Sequence, residues 1–191
     1  MSDRFGLSRR EFVLGGFAVG SGLWALKLRA PSSELIAHSS KLLADVTIAE
    51  FTPEGTLVRK VTVPKVVKTD AEWRKQLAPD SYHIARERGT ERPFSHPYYK
   101  LHDRGLFMCI CCGTALFNSA NKFDSGTGWP SFWQPIAEEN VVHGKPSGGF
   151  VDSEVTCRRC DAHLGDLFDD GPKPTGLRYC IDSVALRFAG A

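Results

Sequence analysis

The sequence predicts a mainly β protein, a compact body of short strands entered through a hairpin and two short helices. Three observations carry that expectation. From Leu106 onward, short apolar runs alternate with Gly, Pro, Asp and Asn turns. Helix signals are confined to a stretch between Thr69 and Gly89. Two Cys-x-x-Cys pairs, Cys109/Cys112 and Cys157/Cys160, stand with 44 residues between them.

At 191 residues the chain is long enough for one domain with additions. Its composition, 42% hydrophobic and 24% charged, is that of a soluble globular protein. Of 24 basic and 22 acidic side chains, Arg4, Arg9, Arg10, Lys27, Arg29, Asp3 and Glu11 fall in residues 1–30. Without them 19 basic and 20 acidic groups remain, a near-neutral body that gives no footprint for nucleic acid.

Residues 1–30 read as an address. Ser8-Arg9-Arg10-Glu11-Phe12 places paired arginines before an apolar run from Phe12 to Leu26, the pattern of a twin-arginine export signal. The run is 15 residues, short of the ~20 that a spanning helix needs. Leu28-Arg29-Ala30 before Pro31 is a poor cleavage junction, so retention as a membrane tether is the alternative to removal. The expected location is the periplasm or the extracytoplasmic face of the membrane, reached through the twin-arginine machinery. That route carries folded proteins, so a metal can be loaded before the thiols meet an oxidising compartment.

Residues 31–64 form a linker and hairpin extension. Pro31 to Ser40 is polar. Val46 to Val63 reads as a hairpin around Thr52-Pro53-Glu54-Gly55. Thr69-Asp70-Ala71-Glu72 is a capping box for a helix to about Leu77, which Pro79-Asp80 breaks. A second helix over 81–88 ends at Gly89. Strands follow at Phe107–Ile110, Ala115–Phe117, Phe132-Trp133, Val141-Val142, Glu154–Thr156 and Ser183–Phe188.

Cys109, Cys112, Cys157 and Cys160 have the spacing of a structural zinc site, in which two tight turns each supply two thiolates. Two disulfides or a redox Cys-x-x-Cys are the other readings. Cys111 and Cys180 remain. Arg178-Tyr179-Cys180 puts a cation two residues before the thiol, on the same face if the segment is a strand. A nearby cation lowers a thiol pKa, and His163 offers an acid–base group elsewhere in the chain. A lone cysteine is also an ordinary small core residue. The two tryptophans of Gly126-Thr127-Gly128-Trp129-Pro130-Ser131-Phe132-Trp133 either belong to the core or wall an apolar pocket, and Trp129 and Phe132 are the candidate substrate contacts.

Together these stretches resemble the methionine-R-sulfoxide reductase family, MsrB. The pieces are Lys68 to Trp73, Gly89-Thr90-Glu91, Cys109-x-x-Cys112-Gly113, Lys122 to Phe132, Cys157-x-x-Cys160-Asp161-Ala162-His163-Leu164-Gly165, Asp170-Gly171-Pro172 and Thr175 to Cys180. They run in the family's order from about residue 65 to 188, within an expected catalytic domain over 65–191. The resemblance implies a small two-sheet β-fold with a zinc site at one end. It implies reduction of R-methionine sulfoxide, protein-bound or free, with Cys180 as nucleophile and zinc held by the four paired cysteines. Trp129 matches the aromatic that packs on the substrate methyl, and His163 and Arg178 match active-site positions. The thiolate attacks the sulfoxide sulfur, methionine leaves, and Cys180 becomes a sulfenic acid. A second thiol and a thioredoxin-like donor then regenerate it.

Four positions depart from the family pattern. Asp166 stands where His is frequent, Asp182 where Asn is, Asp152 where a basic residue is usual, and Thr127 where many members carry a resolving cysteine. Carboxylates near Cys180 raise its pKa. Crowded together, they also raise one another's, so that a protonated Asp166 or Asp182 becomes a proton donor. Cys111 is the spare thiol, a resolving cysteine if the zinc turn comes near Cys180; otherwise it is a bystander and the donor reduces the sulfenic acid directly. The competing reading is an MsrB-like zinc module that binds oxidised or Met-rich proteins with weak or lost turnover, and behind it a plain zinc-ribbon interaction domain.

Overall fold

The computed structural model describes residues 44–144 and 153–191. The arginine-pair segment, the linker over 31–40 and Asp152 lie outside the described residues. No helix among the described residues is long and apolar enough to cross a membrane.

The hairpin forms where its turn residues put it. Strands β1 (Asp45–Phe51) and β2 (Leu57–Pro64) pair antiparallel, with Val46 opposite Val63 and Ile48 opposite Val61. The Gly55 N–H donates to the Thr52 carbonyl at 2.9 Å and closes the turn. Ile48 and Ala49 are buried while β2 is largely exposed. A buried side chain anchors the hairpin to the body. Asn140 accepts from the Ala49 N–H at 2.7 Å and donates to the carbonyls of Ala49 (2.9 Å) and Ala115 (2.7 Å). Satisfying these groups internally avoids the cost of leaving them dry and unpaired.

Helix α1 (Asp70–Gln76) opens on the expected capping box. The Glu72 N–H donates to Thr69 Oγ1 at 3.3 Å and the Thr69 N–H to Glu72 Oε2 at 2.8 Å. Its one buried side chain, Trp73, faces the core. Helix α2 runs Pro79–Glu87, earlier than expected at both ends. Pro79 does not merely end α1. It sits in the first turn of α2, where a missing N–H costs nothing. Arg88, not Gly89, takes the left-handed cap conformation, at φ 58.

Two antiparallel sheets make the body. β3 (Gly105–Cys109), β4 (Ala115–Asn118) and β11 (Leu186–Gly190) form the smaller, in the order β11-β3-β4. β5 (Lys122–Phe123), β6 (Ser131–Phe132), β7 (Val141–Val142), β8 (Ser153–Cys157), β9 (His163–Phe168) and β10 (Arg178–Ile181) form the larger, ordered β5-β6-β10-β9-β8-β7. Aromatic rings join the sheets. Phe117 stacks on Phe132 at 4.4 Å, Phe107 meets Phe132 at 5.0 Å, and Tyr179 lies 5.8 Å from Phe117. Phe132 is fully buried in this seam. The expectation that it contacts substrate gives way to a core role, because its strand turns that side chain inward.

The run over 183–188 splits into a helical turn, Ser183–Ala185, and then β11. β9 lies at the centre of the larger sheet and carried no strand expectation. Its Gly165 weakens the strand pattern, yet a glycine is required there. A Cβ would sit 2.1 Å from the Cys180 carbonyl oxygen and 2.9 Å from Ile181 Cα.

Candidate active site

The two Cys-x-x-Cys turns are near copies. Cys109 ends β3 and Cys157 ends β8. In each turn the N–H of the residue after the second cysteine donates to the carbonyl of the first: Gly113 to Cys109 at 2.8 Å, Asp161 to Cys157 at 2.9 Å. Both donors are left-handed, Gly113 at φ 73 and Asp161 at φ 54, a region that Gly enters freely and Asp tolerates. The neighbouring chain braces both turns. Gln76 Nε2 donates to the Cys111 carbonyl at 2.7 Å, Arg86 Nη1 to the Cys160 carbonyl at 2.8 Å, and the Val66 N–H to the Arg159 carbonyl at 2.8 Å.

The four ligand sulfurs lie within 4.8 Å of one another. Cys109 and Cys160 are 3.6 Å apart and Cys112 and Cys157 are 3.5 Å apart. A disulfide needs about 2.05 Å, and all six cysteines are free thiols. A tetrahedron of metal–sulfur bonds near 2.3 Å would separate its sulfurs by about 3.8 Å. The donor set therefore fits a metal ion with a closed all-sulfur shell. Cys111 is buried and its thiol interacts with Cys109 and Cys160, at the cluster.

The second cysteine site is built by register. On β10, Tyr179 and Ile181 point into the core, and Arg178 and Cys180 share the opposite face. Cys180 pairs with Asp166 on β9 and with Ser131 on β6. Glu154 on β8 pairs with Asp166. Glu154, Asp166, Cys180 and Ser131 thus form one row across the sheet. Asp182, two residues past Cys180, follows on the same side. Cys180, Asp166, Asp182, Thr90, Trp129, Gly165 and Phe168 line a cavity of about 110 Å³. That volume suits the end of one side chain and is below the ~300 Å³ at which pockets for drug-sized ligands begin.

Arg178 donates to Asp170 through Nε at 2.7 Å and Nη2 at 2.9 Å, and lies 4.0 Å over the Phe168 ring. Its charge also acts on Cys180. The expected acidifying cation is therefore present, but it is shared with a carboxylate. Burial pushes the Cys180 thiol up to about 11, against the lowering pulls of Arg178 and the Thr127 hydroxyl; Asp182 and Asp166 add to the rise. Burial likewise pushes the Asp182 carboxyl up to about 7, against the Glu91 backbone N–H, with the charges of Glu91 and Asp166 raising it and His163 lowering it. His163 lies behind the cavity, its Nδ1 2.9 Å from Glu154 Oε1 and its Nε2 3.9 Å from Asp182 Oδ2.

Of the residues expected here, Cys180, Asp166, Asp182 and Trp129 line the cavity, and Arg178 and His163 support it from the side. Cys111 is not in the lining. Two contributors were not assigned roles from sequence. Thr127 holds a hydroxyl on the nucleophile and continues into Ser125 (2.8 Å) and Ser131 (2.7 Å from Ser125). Glu91 ties the cavity walls together. Its place in the Gly89-Thr90-Glu91 stretch was the available signal.

A thiol at the mouth of a small pocket, held among an arginine, a hydroxyl and carboxyls on a β-body with a four-cysteine cluster, defines a thiol-dependent oxidoreductase. A family model described as the SelR domain matches residues 77–190. The peptide methionine sulfoxide reductase MsrB of Hahella chejuensis is 52% identical over 128 residues, 66% of this chain and 92% of that protein. The MsrB of Thioalkalivibrio sulfidiphilus is 52% identical over 124 residues, 64% of this chain and 90% of its own. That of Pseudomonas putida strain F1 is 53% identical over 123 residues, 64% and 94%. The chain belongs to the MsrB family of peptide methionine sulfoxide reductases.

Proposed function

We propose that the chain reduces the R epimer of methionine sulfoxide in oxidised proteins, with Cys180 as nucleophile and Asp182 as proton donor. The observation that carries this reading is the placing of Cys180, Asp182 and Trp129 around one cavity of side-chain size. Trp129 offers an apolar face for the substrate methyl. The Cys180 sulfur attacks the sulfoxide sulfur, and the oxygen takes a proton from Asp182. The S–O bond breaks, the oxygen passes to Cys180 as a sulfenic acid, and methionine leaves. The proton that Asp182 gives is the one it holds while Cys180 is a thiolate, so the attack leaves Asp182 ionised and Cys180 as the sulfenic acid, and the step consumes no proton from solvent.

Between about 7 and about 11 the pair Asp182 and Cys180 holds one proton. The productive arrangement puts it on Asp182 and leaves a thiolate. On this reading kcat/KM climbs with pH up to about 7 and then levels. Arg178 and Thr127 stabilise the thiolate in that arrangement. Zinc in the four-cysteine cluster fixes the scaffold and takes no part in the reaction, because a closed shell leaves no position for substrate.

Regeneration falls to a thioredoxin-like dithiol. One donor thiol condenses with the sulfenic acid to a mixed disulfide and water, and the second releases Cys180. Support comes from Cys111 lying against the metal cluster and outside the cavity lining. The twin arginines support a reading in which the protein takes the export route and works in the periplasm, with residues 12–26 as signal or tether.

The test uses the separate R and S epimers of N-acetylmethionine sulfoxide with dithiothreitol as reductant. The R epimer should turn over, the S epimer should not, and Cys180→Ser should lose about a thousandfold or more. Equal rates on both epimers, or an active Cys180→Ser, would sink the reading. One observation favours the competing zinc module, the high pKa of Cys180. Binding of R sulfoxide without turnover by the wild type would establish that alternative.

A further inference from the structure

Glu91 makes three hydrogen bonds around the site. Its backbone N–H donates to Asp182 Oδ1 at 2.9 Å. Its carbonyl accepts from Trp129 Nε1 at 3.2 Å. Its Oε1 accepts from the Ser183 N–H at 2.6 Å. Its Oε2 is buried with no hydrogen-bond partner. A glutamine would cap Ser183 equally well and would bury no charge. The dry, half-used carboxylate therefore calls for another role, and the group it stands beside is Asp182.

We propose that Glu91 is a positioning residue for the reduction: it clamps the acid, Asp182, and the aromatic wall, Trp129, to one stretch of chain, and its charge holds the proton on Asp182. This rests on the reductase reading with Asp182 as donor. Pinned at Oδ1 by the Glu91 N–H, Asp182 keeps Oδ2 for the side on which His163 Nε2 lies, 3.9 Å away. The charged and titratable groups facing Asp182 are Glu91 from the loop after α2, His163 and Asp166 from β9, and Cys180 on its own strand. Arg178 stands beyond Cys180, and Glu154 behind His163. Glu91 and Asp166 oppose ionisation of Asp182 and His163 favours it. Glu91 also holds Asp182 mechanically through its backbone N–H, so its charge acts at a fixed place.

The test is Glu91→Gln in the full zinc-loaded chain, with R-N-acetylmethionine sulfoxide and dithiothreitol. Glutamine keeps the shape and the acceptor for Ser183 and removes the charge. With less hold on the Asp182 proton, kcat/KM should match wild type near pH 5.5, where Asp182 is protonated in both proteins. It should fall about fivefold or more above pH 8. Glu91→Asp, which keeps the charge, should restore much of the loss above pH 8. A loss equal at every pH would mark Glu91 as merely structural and overturn the proposal, as would no loss anywhere. The carboxyl carbon signal of Asp182, followed by NMR in the resting protein, gives a readout independent of turnover. Its midpoint should move to lower pH in Glu91→Gln, and an unmoved midpoint overturns the proposal. Asp182→Asn run in parallel separates the two failures. If it loses activity while Glu91→Gln follows wild type, only the role of Glu91 falls. If it keeps wild-type rates throughout, the acid reading falls and this one with it.

Discussion

Cysteine is put to two uses at two places in this fold, and the surroundings separate them. At the cluster, four sulfurs face one another from paired turns, and Cys109, Cys157 and Cys160 are at most 2% exposed. Backbone N–H groups and braces from α1, α2 and the hairpin's end hold the turns. At the cavity a single sulfur is half-buried, and its neighbours are two carboxyls, a hydroxyl and an arginine. The first arrangement is one in which a cation would satisfy four thiolates and leave no position open. The second sets one thiol on the wall of a cavity, between groups that raise its proton affinity and groups that lower it. Burial raises the proton affinity of Cys180, and reactivity then depends on where the neighbouring proton sits.

The largest effect expected from breaking this contrast is at the cluster. Cys157→Ser, or removal of metal by a chelator, should cost on the order of 10 kcal/mol of folding stability. Thermal unfolding and metal content would check it; a variant that keeps both would show that the cluster is not a metal site. Cys180→Ser should do the opposite, leaving metal content and unfolding temperature within error of wild type while abolishing turnover. Loss of metal in that variant would mean that the two regions are not separate.

A smaller effect follows from the Asp182 carboxyl, raised from 3.8 to about 7. A group whose folded pKa is raised holds a proton that the unfolded chain releases. Its folded form is therefore penalised progressively as pH rises from about 4 to about 7. Asp182→Asn escapes that penalty. It should match wild type near pH 4 and be more stable at pH 8 by about 2–4 kcal/mol, read by urea unfolding at the two pH values. Equal differences at both would show that Asp182 titrates normally. The smallest effect is at Thr127. Thr127→Val removes the hydroxyl bond to the thiolate and should lower kcat/KM a few-fold, about 1 kcal/mol of transition-state stabilisation, with unfolding unchanged. A rate equal to wild type would leave the thiolate to Arg178 alone.

The cluster was far more legible in the sequence than the cavity. A Cys-x-x-Cys turn is local, so its spacing states its geometry, and the left-handed residue after it shows as Gly113 or Asp161. The capping box of α1 and the turn at Thr52–Gly55 are local in the same sense. β9 was not readable, because the glycine that its tight approach to β10 demands is also what erases a strand pattern. Phe132 was misplaced because period-2 alternation gives two faces without saying which one meets the core. Glu91 and Thr127 lie in recognisable stretches, but nothing local to either states its role. Their roles come from chain segments nearly a hundred and about fifty residues away.

Residue order alone therefore determined which cysteines pair, where the helices cap and that short strands build the body. Each of these is set by interactions across a few neighbours. The order also places Arg178, Cys180 and Asp182 at i, i+2 and i+4, hence on one face of any strand they form. Tertiary structure decided what that face meets: Asp166 across the ladder, Trp129 over the cavity, and Glu91 behind Asp182. Proton affinity depends on burial and on charges close in space. The high pKa of Cys180 and the near-neutral pKa of Asp182 therefore exist only once β9, β10 and the Glu91 loop are packed together.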